Sequence, residues 1–302
     1  MVASAPHYEV EATQCVRWCT ARVSDAGKVT SMVPRRLHHL SIGTDGPRIA
    51  FCHGLFGQGR NWSQVAKALA GPDGTDARAT LIDLPDHGRS PWSDHFSLQA
   101  YAAHVAQELR VIAPGERWTL VGHSLGGKVS MLVALAQPDL IDRLAVIDIA
   151  PRHYRSHHWY LDYIAAMQAI PLDALTSRAE ADAILEPVVP VASVRSFLLQ
   201  NLRRHGHTWS WQVNFDVLSR AGTGQRSVAG WPAVDATAYE PFDKPVLWVA
   251  GSESTYVRSD DTPAMRAMFP KVRQVVVKGA AHWVHSDQPD VTIQILDRFL
   301  RR

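Results

Sequence analysis

The segment of this chain best suited to chemistry is Gly122-His123-Ser124-Leu125-Gly126-Gly127, which follows the strand-like Trp118–Val121 and opens a helical pattern. Glycines two residues to either side of a serine let the backbone turn sharply from strand to helix. The serine is then exposed in a strained elbow, placed to act as a nucleophile. A serine hydroxyl used in this way needs a base to take its proton, an acid to orient the base, and donors for the negative charge on the attacked carbonyl oxygen.

The donors are sought first. His53-Gly54-Leu55-Phe56-Gly57 follows the apolar Arg48–Cys52. A His-Gly turn after an early strand is a place for an oxyanion hole, and the backbone N–H groups of Leu55 and Leu125 are the expected donors. Each such donor stabilises charge that appears only in the transition state, by ~3 kcal/mol. Among fifteen histidines, His282 in Gly279-Ala280-Ala281-His282-Trp283 is the expected base, because it stands between the last strand candidate and the closing helix. His285 is the second candidate. For the acid, three readings stay open. Asp148 ends the apolar run Val146-Ile147-Asp148-Ile149, where burial without a partner would be costly and a histidine N–H would supply one. Glu253 is the first carboxylate after Val246–Ala250. The third reading is a Ser-His dyad assisted by water. Phe56, His123, Trp159, Tyr256 and Trp283 are the candidate substrate-pocket residues.

Positioning these groups requires a sheet. From residue 37 onward short apolar runs alternate with helical patterns, as in a parallel α/β sheet. The strand candidates are Leu37–Ile42, Arg48–Cys52, Thr80–Asp83, Thr119–Val121, Leu144–Ile149, Val246–Ala250 and Gln274–Val277. Amphipathic segments at Asn61–Leu69, Ser97–Ile112 (Ser97 as N-cap), Leu125–Ala136 and Pro289–Leu300 read as helices. From His153 to Tyr239 the rhythm breaks. No buried strand is expected there, and Trp159–Ile170, Ala179–Leu185 and Val194–Arg204 read as helices. A stretch of this length between two strands reads as a helical cap. The division is therefore an N-terminal extension (1–36), a core (37–152 and 241–302) and a cap (153–240).

The motifs resemble a known family. His53–Gly57, Asp83-Leu84-Pro85-Asp86-His87-Gly88-Arg89-Ser90, Gly122–Lys128, Ile147-Asp148-Ile149-Ala150-Pro151 and His282-Trp283-Val284-His285 look like those of the YbfF-like esterases of the α/β-hydrolase superfamily. The resemblance spans roughly residues 37–302 and is weakest through the cap. It implies an α/β-hydrolase fold with an inserted helical cap. It also implies hydrolysis of acyl esters and acyl-CoA thioesters without a cofactor, and an acid that follows the family's sixth strand, which maps onto Asp148.

Composition narrows the remaining classes. The chain has 302 residues, with 46% apolar, 20% charged and a net charge of +2, which excludes disordered, collagen-like and coiled-coil chains. Nothing in the charge pattern supports a nucleic-acid partner. No apolar run approaches a membrane span, and a secretory signal is not expected. Three cysteines (Cys15, Cys19 and Cys52) suit a reducing compartment, so a cytoplasmic location is expected. His38-His39, His157-His158 and His205-x-His207 lack zinc-site spacing, so no metal is expected. Asp83–Ser90 reads as a structural turn. Met32 is a conceivable natural start. The cap tryptophans Trp159, Trp209, Trp211 and Trp231 are expected to pack and to line an acyl pocket. The alternative on the same scaffold is carbon–carbon bond hydrolysis or a pyruvate-eliminating synthase step. That chemistry should bring arginines, with Arg152, Arg155, Arg203 and Arg204 as candidates, to a carboxylate-bearing substrate. Dehalogenase and epoxide-hydrolase chemistry is disfavoured, since those enzymes place Asp rather than Ser at the elbow.

Overall fold

In a computed structural model, the described residues are 36–155, 159–221, 227–231 and 239–301. The expectations that fall on Cys15, Cys19, Met32 and His157-His158 lie outside them. Seven strands form one sheet: β1 (His39–Ile42), β2 (Arg48–Cys52), β3 (Arg78–Ile82), β4 (Trp118–His123), β5 (Ile141–Ile147), β8 (Val246–Gly251) and β9 (Val272–Val277). Their order is β1-β3-β2-β4-β5-β8-β9. Only β1 runs antiparallel, against β3; every other pairing is parallel.

The central strands are mostly apolar, and their side chains alternate between two cores, as the strand period of two requires. Ala50, Cys52, Leu120, Val146 and Trp248 face α2 (Leu98–Ile112) and α3 (Leu125–Ala136). Ile49, Phe51, Val121, Ile147 and Val249 face α1 (Ser63–Leu69) and α10 (Pro289–Leu300). The result is a helix–sheet–helix sandwich, the α/β-hydrolase architecture expected from the sequence. Ser97 caps α2 as its position suggested, its side chain accepting from the Ala100 N–H.

An insertion separates β5 from β8. It contains α4 (Trp159–Gln168), α5 (Arg178–Leu185), α6 (Ala192–Leu199), a hairpin of β6 (Leu202–His205) and β7 (Thr208–Trp211), and α7 (Phe215–Arg220). The helix expected over Val194–Arg204 therefore stops at Leu199, and Arg203 and Arg204 belong to the hairpin. Those two short strands are mostly only partly buried, so the burial pattern used to read strands is missing from them. Two short helices near the C-terminus, α8 (Thr262–Met268) and α9 (Val284–Asp287), also had no clear sequence signal.

The insertion is fastened to the core through the Asp83–Ser90 turn. Asp86, at φ +66°, accepts hydrogen bonds from Tyr101 Oη (2.6 Å), Ser93 Oγ (2.6 Å) and Asn214 Nδ2 (2.8 Å). Asp83 accepts from the backbone N–H groups of Gly59 (2.7 Å) and Arg89 (2.9 Å). Both carboxylates are committed to structure, which matches the structural-turn reading.

Candidate active site

Ser124 stands between β4 and α3 at φ +51° and ψ −117°, a backbone region that L residues avoid. Its N–H donates to Ile147 O (3.1 Å). The turn is tight because the chain passes close behind it: a Cβ on Gly126 would lie 2.3 Å from Cys52 O. Asp148 ends β5 at φ +49°, with its N–H donating to Val249 O (2.7 Å). The expected strand Leu144–Ile149 thus ends at Ile147, because the left-handed conformation of Asp148 turns the chain out of the sheet.

These two strained turns and the loop after β9 meet at the carboxyl edge of the sheet. The Nδ1–H of His282 donates to Asp148 Oδ2 (2.8 Å), and its Nε2 lies 3.0 Å from Ser124 Oγ. Because a carboxylate can only accept, this arrangement fixes the tautomer and leaves Nε2 free to receive the serine proton. Asp148 is fully buried, and its cost of burial is offset by two further donors. Gly251 N–H reaches Oδ1 at 3.0 Å, and the Ser254 hydroxyl donates to Oδ2.

Glu253 is exposed on the neighbouring loop, where its backbone N–H donates to Ala280 O (3.0 Å). The histidine Nδ1 is held by Asp148 instead, and the loop after β8 contributes donors to that carboxylate. His285 stacks on Trp62 with centroids 4.3 Å apart, and burial pushes its imidazole down to about 4.

Second contacts hold the imidazole from other sides. Tyr256 stacks on the His282 ring at 3.7 Å and 17°. Burial pushes the Tyr256 hydroxyl up to about 12, partly opposed by a hydrogen bond with Trp159. The His123 Nε2–H donates to His282 O (2.8 Å). Burial, and then the adjacent His282 ring, hold His123 well below the usual histidine range. Gly54 packs against this ring, since a Cβ there would come 2.8 Å from His123 Nδ1 and 3.2 Å from Ser124 Cβ. The Leu55 turn is thereby held against the serine. Leu125 is the first residue of α3, so its N–H has no carbonyl within the helix to reach.

A mostly apolar pocket, about 650 Å³ including its open mouth, extends from Ser124. Phe56, His123, Trp159, Tyr256 and Trp283 all line it, as do Leu55 and Leu125. Trp209, Trp211 and Trp231 do not line it. The indole of Trp209 donates to Leu175 O (2.8 Å), and Trp211 packs edge-on to Phe215. These three tryptophans pack the insertion, the first of the two roles expected of the cap tryptophans, and of the four Trp159 alone lines the pocket. The candidate arginines are also elsewhere. Arg152 pairs with Asp261 (2.9 Å), Arg203 bonds Gln212 Oε1 (2.7 Å), and Arg204 donates to Gly206 O (3.0 Å). Arg155 is exposed and, like the others, does not line the pocket.

The one lysine on the pocket wall, Lys128, carried no assigned role in the sequence. Its Nζ donates to Val228 O (3.1 Å) and Gly230 O (2.6 Å) and lies 4.7 Å from the centre of the Tyr154 ring. Burial, with Arg152 adding a like charge, drives this ammonium well below the usual lysine range. A lysine amid the apolar residues of α3 was the available signal. Ser254 had none, because one hydroxyl in a polar loop looks like any other.

Residues 47–289 match the family model described as alpha/beta hydrolase fold. The chain is an α/β hydrolase. The mouse sn-1-specific diacylglycerol lipase ABHD11 is 34% identical over 294 residues, covering 94% of this chain and 91% of that protein. Escherichia coli esterase YbfF is 31% identical over 254 residues, covering 83% and 92%. Among solved structures, a marine microorganism esterase superposes with a TM-score of 0.80 at 30% identity, covering 88% of this hydrolase and 99% of that chain. Among the described residues, no helix of this hydrolase is long and apolar enough to cross a membrane, and no group of three or more His, Cys, Asp or Glu residues is arranged to hold a metal ion.

Proposed function

We propose that this α/β hydrolase is a serine esterase that cleaves carboxylic esters with apolar acyl groups through an acyl-enzyme. The observation that carries the reading is the position of His282, 3.0 Å from Ser124 Oγ and 2.8 Å from Asp148. The similarity to a diacylglycerol lipase and to two esterases supports the same class.

Ser124 Oγ attacks the ester carbonyl carbon while its proton passes to His282 Nε2. The carbonyl oxygen becomes an oxyanion that accepts from the N–H groups of Leu55 and Leu125. Collapse breaks the carbon–oxygen bond, and the alcohol leaves with the proton from His282. Water, deprotonated by His282, then attacks the acyl-serine carbonyl; the bond to Ser124 Oγ breaks, Oγ takes the proton back from His282, and the carboxylic acid is released. Asp148 keeps the imidazole in the productive tautomer and stabilises its charged form. All of these steps use protein groups and water. The same sequence would release a thiol from an acyl thioester. The insertion serves as a cap: its Trp159, Val194, Phe197 and Val228 line the pocket together with the core residues around Ser124 and suit an alkyl chain. The carbon–carbon and pyruvate-eliminating alternatives lose support because the arginines they would require lie outside the pocket.

The experiment is hydrolysis of p-nitrophenyl esters from acetate to palmitate by wild type and Ser124→Ala. Turnover by wild type that falls by a factor on the order of 10⁴ or more in Ser124→Ala is expected. Turnover that survives in Ser124→Ala would contradict the reading.

A further inference from the structure

We infer that Asn201, a residue of the insertion that touches no substrate, is a positioning residue that aims and polarises the Leu55 N–H of the oxyanion hole. This assignment rests on the serine-esterase reading above. Leu55 precedes Phe56, whose φ of +60° is unfavourable for a bulky side chain and persists only where its surroundings over-determine it.

Two peptide groups connect the residues. Asn201 Nδ2 donates to Phe56 O at 2.7 Å. The other end of that same peptide, the Gly57 N–H, donates to Gly54 O at 2.9 Å. The far end of the Gly54 peptide is the Leu55 N–H itself. The hydrogen bonds therefore run head to tail from the Asn201 amide, through two peptide units, to the donor that would meet the oxyanion. Each bond in such a chain polarises the next, so a donor at its end is both fixed in direction and strengthened.

The insertion is built to hold the start of this chain. Asn201 is completely buried, and its Oδ1 accepts from Gln58 Nε2 (2.8 Å) while Nδ2 also reaches Leu198 O (3.2 Å). Its own carbonyl accepts from Gln212 N–H (2.8 Å), which ties it to the hairpin. Gln200 Nε2 adds a second, longer bond to Phe56 O (3.3 Å). On the core side the His53 Nδ1–H donates to Gly54 O (2.8 Å), so removal of Asn201 leaves the turn present but its outer peptide held at the carbonyl end only by the longer Gln200 bond. Asn201 lies outside the pocket wall and cannot bind the acyl group.

The test separates oxyanion stabilisation from folding and from ground-state binding. A trifluoromethyl ketone with an alkyl tail accepts Ser124 Oγ at its carbonyl carbon, the serine proton passes to His282, and the ketone oxygen becomes an anion with no leaving group. The matching methyl ketone binds the same pocket without that addition. In Asn201→Leu, kcat should fall about 10- to 100-fold with KM within threefold. Affinity for the trifluoromethyl ketone should fall by the same factor, with affinity for the methyl ketone within threefold. Where Asn201→Leu does not fold, Asn201→Ser and Gln200→Ala carry the test, Gln200→Ala with a smaller loss of the same kind. Equal loss of both inhibitors, or loss of neither, in the variants that fold overturns the assignment while Ser124-dependent turnover by wild type stands. Absence of that turnover in wild type overturns the esterase reading and this assignment with it.

Discussion

The carboxyl edge of the sheet and the insertion after β5 contribute to one site in different ways. At the sheet edge, the proposed chemistry falls to side chains themselves: Ser124 and Asp148 stand on left-handed turns at the ends of parallel strands, and His282 meets both from the loop after β9. Between the insertion and the core, side chains act on backbone. Asn201 holds the Phe56 carbonyl, and the insertion carbonyls of Val228 and Gly230 are held by Lys128 from the core. The lesson is that a parallel sheet fixes chemistry by where its strands stop. An inserted segment with no place in the sheet has to be fastened, and its fastenings can also tune the site.

The comparison is broken most severely by Asp148→Asn. The change preserves shape but removes the acceptor that fixes the His282 tautomer, and turnover should fall on the order of 10⁴-fold. Glu253→Gln, one loop away and exposed, should leave kcat within about twofold. Steady-state kinetics on a short-chain ester checks both, and the reverse pattern would move the acid to the loop after β8.

A smaller effect should come from the wall of the insertion. Trp159→Ala enlarges the pocket and removes the partner of the Tyr256 hydroxyl, so the ratio of kcat/KM for long over short acyl chains should rise by about tenfold. An unchanged ratio would mean that the insertion does not read the acyl chain.

The contrast between these regions also explains what the sequence could convey. Ser124 and Asp148 were legible because strand ends and left-handed turns restrict residue choice locally: small residues crowd the elbow, and a lone carboxylate in an apolar run must have a partner. His282 was legible from its place between the last strand and the closing helix. The donors to Asp148 from Gly251 and Ser254 were not, because a backbone N–H is invisible in sequence and one hydroxyl has no pattern. Asn201 was hidden for the same reason, since its partner is the carbonyl of Phe56, and any residue supplies a carbonyl. The β6–β7 hairpin escaped because its two short strands are for the most part only partly buried, so no alternation of apolar residues marks them.

A separate effect is on stability rather than on turnover. His285 is half-buried against Trp62, its imidazole pushed down to about 4 by desolvation and by the nearby His282, against about 6.5 in the unfolded chain. The unfolded state therefore binds the proton first. The stability contributed by keeping this ring neutral is complete above about pH 6.5 and is lost as pH falls towards 4, a change of roughly 3 kcal/mol at most. His285→Phe, which keeps a ring on Trp62, should flatten the decline of the thermal midpoint between pH 6.5 and 4. A decline as steep as that of wild type would show that other groups set it.

The most direct measurement is the residue labelled by an alkyl fluorophosphonate, which loses fluoride when a nucleophilic oxygen bonds to its phosphorus. The labelled protein is digested and read by mass spectrometry, with His282→Ala in parallel. The expected result is a single phosphonyl group on Ser124 in wild type, formed at least a thousandfold more slowly in His282→Ala. A label on another residue, or labelling of Ser124 at the same rate without His282, would contradict a nucleophile activated by His282.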